Sequence, residues 1–129
     1  FSFSGLKTAV VNIIHNSKQK GIEISVPDLG ASCIETVADC LVNNTVKAAE
    51  EYGFRKIALA GGVSANSRLR KRMYDTCYEK GWKLYMPELC YCGDNAAMVG
   101  AQAYYEYQKG NIASLDLNAF ATMPIDEEN

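Results

Sequence analysis

The stretch KIALAGGVSANSRLR, residues 56–70, passes from an aliphatic run through two glycines into a charged, helical pattern. A strand ending there leaves Gly61 and Gly62 free to adopt conformations closed to other residues, and lets a ligand approach the main chain. The helix behind them offers unpaired N–H groups and the positive end of its dipole to a phosphate or carbonyl oxygen. Asn66 brings a donor and an acceptor on one side chain, suited to a ribose hydroxyl or a base edge. The competing reading is a tight strand-to-helix turn with Ser64 as the helix cap, which needs no ligand. Neither GK[ST] nor GxGxxG is present, so this is not a Walker or dinucleotide fingerprint.

A second stretch, CYCGDNAAM at residues 90–98, makes a parallel case. Asp94 stands where a helix is expected to begin, and Asp is a preferred cap there. Its carboxylate is also a hard oxygen that a divalent cation accepts, although one carboxylate does not make a site. Cys90 and Cys92 alternate with Asp94, as a metal clip would. No second Cys or His pair stands at zinc-finger spacing, and His15 is the single histidine. Its place near the end of the first helical pattern reads as structural.

The elements that must position these residues follow from periodicity. Leu6, Val10, Ile13 and Ile14 give a helix from Ser4 to about Ser17, with Ser4 as cap. KQKGIEIS is turn-like. A long helix is expected over Leu29 to Tyr52, with Ile34, Val37, Ala38, Leu41, Thr45, Ala48 and Ala49 along a stripe packed on a sheet, and Gly53 ending it. FRKIALAG reads as a buried strand and WKLYMP as a second one, halted by Pro87. Between them runs a helix from Ser64 to Lys80, and a last helix runs from Asp94 to Lys109 with Gly110 as its stop. Strands alternating with helices imply a parallel sheet covered by helices. Both candidate turns then leave the carboxyl edge of that sheet, where ligands bind, and Gly61, Gly62, Asn66 and Asp94 are expected to converge on one cleft.

Composition sets the bounds. The chain has 129 residues, 48% hydrophobic and 22% charged, with a net charge of −2. That balance gives no sign of a nucleic-acid or membrane partner, so any basic surface must be local. There is neither a membrane-length apolar run nor a signal-peptide pattern. Five cysteines at irregular spacing do not form a secreted disulfide framework and point to a reducing cytoplasm. Cys33 and Cys40 fall within a helical pattern as small buried hydrophobes. The chain opens on Phe1 with an element already in progress, and two strands are few for a sheet, so a piece of a longer polypeptide is expected.

FSFSGLKT, AGGVSAN and CGDNAAM, in that order, resemble the C-terminal portion of the TsaD (Kae-type) family of tRNA threonylcarbamoyladenosine synthases, over about residues 1–125. An older label for that family, O-sialoglycoprotein endopeptidase, finds no protease-like nucleophile and base here. The resemblance implies an α/β fold, part of an actin-like ATPase (ASKHA, ribonuclease-H-like) domain. Residues 1–110 would form a C-terminal subdomain fragment and 111–129 a partly mobile tail. It implies transfer of a threonylcarbamoyl group from threonylcarbamoyl-adenylate to the anticodon-loop adenosine of tRNAs reading codons that begin with A.

By resemblance, Asn66 contacts the adenylate and Gly61 and Gly62 form the nucleotide-side turn. Asp94 completes a site for one divalent metal, iron or zinc, with two histidines on an N-terminal helix that this chain does not include. Gly93 departs from the Thr that many relatives carry. No general base falls within the chain, and alone it is expected to be inactive. The implied ligands are threonylcarbamoyl-adenylate or ATP, and the implied partners are tRNA, a TsaB-like paralogue and a TsaE-like ATPase, without a membrane. A tRNA substrate draws attention to RLRKR, where Arg68 and Arg72 share a helix face. They are either a solvated face or a phosphate contact. Tyr104, Tyr105 and Tyr107 read as packing and surface rather than base-stacking platforms. Two alternatives remain: a non-catalytic actin-fold paralogue that binds partners, and another actin-fold phosphotransferase such as a sugar kinase.

Overall fold

The computed structural model describes residues 3–119, 121 and 122. Phe1 and Ser2 of the first motif, and the acidic end of the tail, lie outside them. Among the described residues four α-helices and two strands follow in the expected order, and the chain divides into two units, Phe1–Gly93 and Asp94–Asn129.

In the first unit, α1 spans Ser4–Lys20 and is closed by Gly21 in the left-handed conformation, φ 66°. Ser4 is not its cap. Phe3 holds that position and makes no side-chain capping bond, so Ser4 is already helical. Of the expected apolar face, Leu6 and Val10 are half-buried, while Ile13 and Ile14 are exposed.

α2 spans Val26–Glu51, beginning ahead of the expected Leu29. Ser25 caps it by accepting the Asp28 N–H at 3.4 Å, and Pro27 sits in the first turn, where its missing N–H costs nothing. Tyr52 ends the helix, and Gly53 follows at φ 73°, the left-handed step the sequence leads one to expect. The buried positions of α2 are Ala38, Val42 and Ala49. Val42 was not on the expected stripe, Ile34 is exposed, and Cys33 and Cys40 are half-buried rather than buried.

The strands β1 (Lys56–Ala58) and β2 (Lys83–Tyr85) are shorter than the apolar runs that signalled them. They pair in parallel with Ile57 opposite Leu84, and the Leu59 N–H extends the ladder to the Tyr85 carbonyl at 2.9 Å. α3 (Ser67–Glu79) is the crossover between them. It packs on α2 and on one face of the sheet around Ala38, Val42, Ala49, Ile57, Leu69, Met73 and Cys77. Met73 and Cys77 are the largest fully enclosed side chains. Because the strands are parallel, the segments after β1 and β2 leave from the same edge of the sheet.

In the second unit, α4 (Ala96–Lys109) is capped by Asn95, whose side chain accepts the Met98 N–H at 2.9 Å, and Gly110 closes it at φ 81°. Asp94 is thus not the cap.

Candidate functional site

The turn after β1 carries three of the residues singled out in the sequence. Gly61 sits at φ 83°, a conformation that disfavours any side chain, and Gly62–Ala65 wind into a short 3-10 turn. Asn66 then takes an extended conformation and caps α3, its Oδ1 accepting the N–H groups of Arg68 and Leu69 at 3.0 Å each. The expected cap, Ser64, lies inside the 3-10 turn and is buried. The 3-10 turn places the cap two residues later, at the second of two good capping residues. With its Oδ1 bound to the helix, Asn66 has its amide Nδ2 as the end able to meet a ligand.

Beside Asn66 lies a small, mostly apolar hollow of about 120 Å³, lined by Cys33, Ile34, Val37, Ala38, Val63, Asn66 and Leu69. A larger one of about 440 Å³ is lined by Gly53, Phe54, Arg55, Lys80 and Trp82, among others. Those residues precede the two strands, at the edge opposite the glycine turn. Ligands of parallel sheets bind at the carboxyl edge, so the smaller hollow is the candidate site. It falls short of the ~300 Å³ of a complete ligand pocket and can hold only part of one.

The basic cluster is tied down. Arg68 donates through Nη2 to Glu35 Oε2 at 3.0 Å while its Nε pairs with Oε1 of the same carboxylate. Arg72 reaches Glu35 Oε2 at 3.1 Å and pairs with Asp39 as well. Glu35 and Asp39 both belong to α2, so these pairs join α2 to α3 and are not a bare solvated face. The hydrogen bond from Arg68, followed by the nearby positive charges, holds the Glu35 carboxyl below its ordinary range, and Glu35 in turn raises Arg68. Lys71 pairs instead with Asp75 at 2.8 Å.

The residue that periodicity passed over is Arg70. Its guanidinium is half-buried and donates to the Ser64 carbonyl and to the Pro87 carbonyl at 3.0 Å each, with Cys92 Sγ at 3.8 Å. The loop after β2 is therefore bound to the turn after β1. One signal was available: Arg70 stands three residues before Met73 and seven before Cys77, on the stripe that carries the buried side chains.

Asp94 opens the second unit, exposed and relieved of capping duty by Asn95. Gly61, Gly62 and Asn66 share one turn of the first unit. His15 is exposed on α1. Cys90 is exposed and Cys92 buried, both as free thiols. Among the described residues no three His, Cys, Asp or Glu side chains converge to hold a metal ion. These residues by themselves do not make a metal site. Tyr104 and Tyr105 are exposed and meet edge to face at 5.7 Å between ring centres. No helix among the described residues is long and apolar enough to cross a membrane.

Comparison with known proteins decides the family. The model of the TsaD family, tRNA N6-adenosine threonylcarbamoyltransferase, matches residues 1–101. This chain belongs to the TsaD family. A tRNA N6-adenosine threonylcarbamoyltransferase of Clostridium botulinum (strain 657 / Type Ba4) is 46% identical over 127 residues, covering 98% of this chain and 37% of its own length. The Bacillus cereus relative of the same name is 49% identical over 120 residues, 92% of this chain and 35% of its own. The Caldicellulosiruptor bescii relative, again of that name, is 46% identical over 119 residues, with the same coverages of 92% and 35%. The chain thus spans little more than a third of the length of these TsaD relatives.

Proposed function

We propose that this chain is the C-terminal part of an actin-like-fold enzyme that transfers a threonylcarbamoyl group from threonylcarbamoyl-adenylate to the N6 of an adenosine in tRNA. The acceptor is the anticodon-loop adenosine of tRNAs reading codons that begin with A. The carrying observation is the turn at the carboxyl edge of the parallel strands, with Gly61 at positive φ and Asn66 at the helix start, in a chain of the TsaD family.

In this reading the glycine turn lets the adenylate approach the backbone, and Asn66 Nδ2 donates to it. The hollow between Val37, Val63 and Leu69 takes an apolar face of the ligand. The reaction breaks the mixed anhydride between the carbamoyl carbon and the adenylate phosphate and forms a bond to the adenosine N6. The amine proton leaves with the departing AMP or to solvent. Negative charge develops on the carbamoyl oxygen and on the leaving phosphate, which is where N–H donors at the edge of the turn stabilise the transition state. Asp94, exposed and not used as a cap, would lend one oxygen to a divalent ion, iron or zinc, whose other ligands would come from the rest of the polypeptide. Such an ion would supply Lewis-acid polarisation. The chain by itself is inactive, and the intact enzyme works with tRNA, a TsaB-like paralogue and a TsaE-like ATPase in the cytoplasm.

The test uses the intact polypeptide, wild type against Asp94→Ala. The expected result is loss of bound metal and of tRNA threonylcarbamoylation, with the melting temperature preserved because Asp94 caps nothing. Full metal content and activity in the variant would remove Asp94 from the site.

A further inference from the structure

The Ser64–Asn66 segment is gripped at both ends by one residue. The Arg70 guanidinium donates to the Ser64 carbonyl at 3.0 Å, and the Arg70 main-chain N–H donates to the Asn66 carbonyl at 3.0 Å. The second arm of the same guanidinium binds the Pro87 carbonyl at 3.0 Å, and Cys92 Sγ lies at 3.8 Å from the first. Cys92 is 3% exposed and its Sγ is 3.5 Å from the Glu88 carbonyl, so the far anchor is itself fixed.

We propose that Arg70 is a positioning residue, which sets the placement of Asn66 by clamping the turn after β1 to the loop after β2. The inference rests on the reading of that turn as the adenylate contact. A core-facing position on a helix is ordinarily apolar, and packing alone would be served by Leu or Met there. An arginine is accounted for by its planar fork, which reaches two carbonyls in fixed directions at once. Charged donors also make shorter and stronger hydrogen bonds to an acceptor than neutral ones do. Lysine, a single point on a flexible stem, can keep one of the two carbonyls but not both. Without the clamp the α3 cap survives, because Asn66 Oδ1 is still held by Arg68 and Leu69 N–H groups. What is lost is the fixed separation between the two loops.

The experiment is a double-mutant cycle in the intact enzyme with Asn66→Ala, Arg70→Lys and the pair, reading KM for threonylcarbamoyl-adenylate, kcat and melting temperature. Arg70→Met accompanies it, and Arg70→Lys keeps the question answerable where the apolar variant fails to fold. Arg70→Lys is expected to raise KM about tenfold, as small misplacements of a binding group do, with a smaller change in kcat. In the pair the KM effects should fail to multiply, because Arg70 acts through Asn66. A lowered melting temperature with KM unchanged, or KM effects that multiply, would overturn the positioning role and leave the reading of the turn intact. KM untouched by Asn66→Ala would overturn both.

Discussion

Arg68 meets Glu35 with two nitrogens on two oxygens, a fork joining the first turn of α3 to the middle of α2. The same carboxylate also takes Arg72. Because the Arg68 hydrogen bond and the neighbouring guanidiniums depress the Glu35 pKa, the folded state binds this proton less readily than the unfolded chain does. The stabilisation is therefore complete above the unfolded value, about 4.3, and disappears as pH falls through the depressed folded value. Glu35→Gln should lower the melting temperature at pH 7 and reduce the difference between pH 6 and pH 3. An acid limb as steep as that of the wild type would mean other carboxylates carry it.

The same pairs bear on the proposed tRNA contact. The field of a guanidinium already paired with Glu35 or Asp39 is largely cancelled by that carboxylate, so the Arg68→Ala/Arg72→Ala variant is expected to lose stability rather than tRNA affinity. Filter binding across salt concentrations separates the two roles. Each lost phosphate contact lowers the slope of log affinity against log salt by about 0.7 to 0.9. An unchanged slope with a lower melting temperature supports the helix clamp, and a slope reduced by that amount for each arginine restores the phosphate role.

Asn66 combines two jobs that different substitutions pull apart. Its Oδ1 caps α3, and Asp at the same position caps equally well, whereas Ala costs about 1 kcal/mol. The amide donor proposed to meet the adenylate is lost in both, and on that reading Asp would add negative charge facing a phosphate. Stability should then be alike in wild type and Asn66→Asp and lower in Asn66→Ala, while adenylate affinity should run wild type, Asn66→Ala, Asn66→Asp. Calorimetry and thermal melts on the intact enzyme give both orders. Identical orders would reduce Asn66 to a cap.

The order of elements was legible because it rests on long-wavelength features: the 3.6-residue stripe of α2, the aliphatic run at β1 and the alternation of Trp82, Leu84 and Met86 around β2. The caps were not. Ser64 and Asn66 are both good capping residues, and only the 3-10 turn at Gly62–Ala65 chooses between them. Asp94 and Asn95 posed the same choice and resolved the same way, toward the later residue. Arg70 was hidden for another reason. Its acceptors are main-chain carbonyls, Ser64 and Pro87, and a carbonyl leaves no trace in the identity of the residue that bears it. The charge pattern did show Arg68 and Arg72 on one face, but their partners come from α2, a long-range contact that no spacing along α3 encodes.

Ser64 offers the last test, because its two oxygens have different fates. The carbonyl accepts from Arg70, whereas the hydroxyl oxygen is buried with no hydrogen-bond partner among the described residues, in a side chain 2% exposed. A buried polar group left unpaired costs about 1–3 kcal/mol. Ser64→Ala removes that group, keeps the backbone carbonyl that Arg70 holds, and leaves a void no larger than one oxygen. The variant should be as stable as the wild type or more stable by about 1 kcal/mol, with KM for threonylcarbamoyl-adenylate unchanged. Thermal melts and steady-state kinetics on the intact enzyme decide it. A lower melting temperature would show that the hydroxyl is paired in the whole protein, and a raised KM at unchanged stability would place its partner on the substrate.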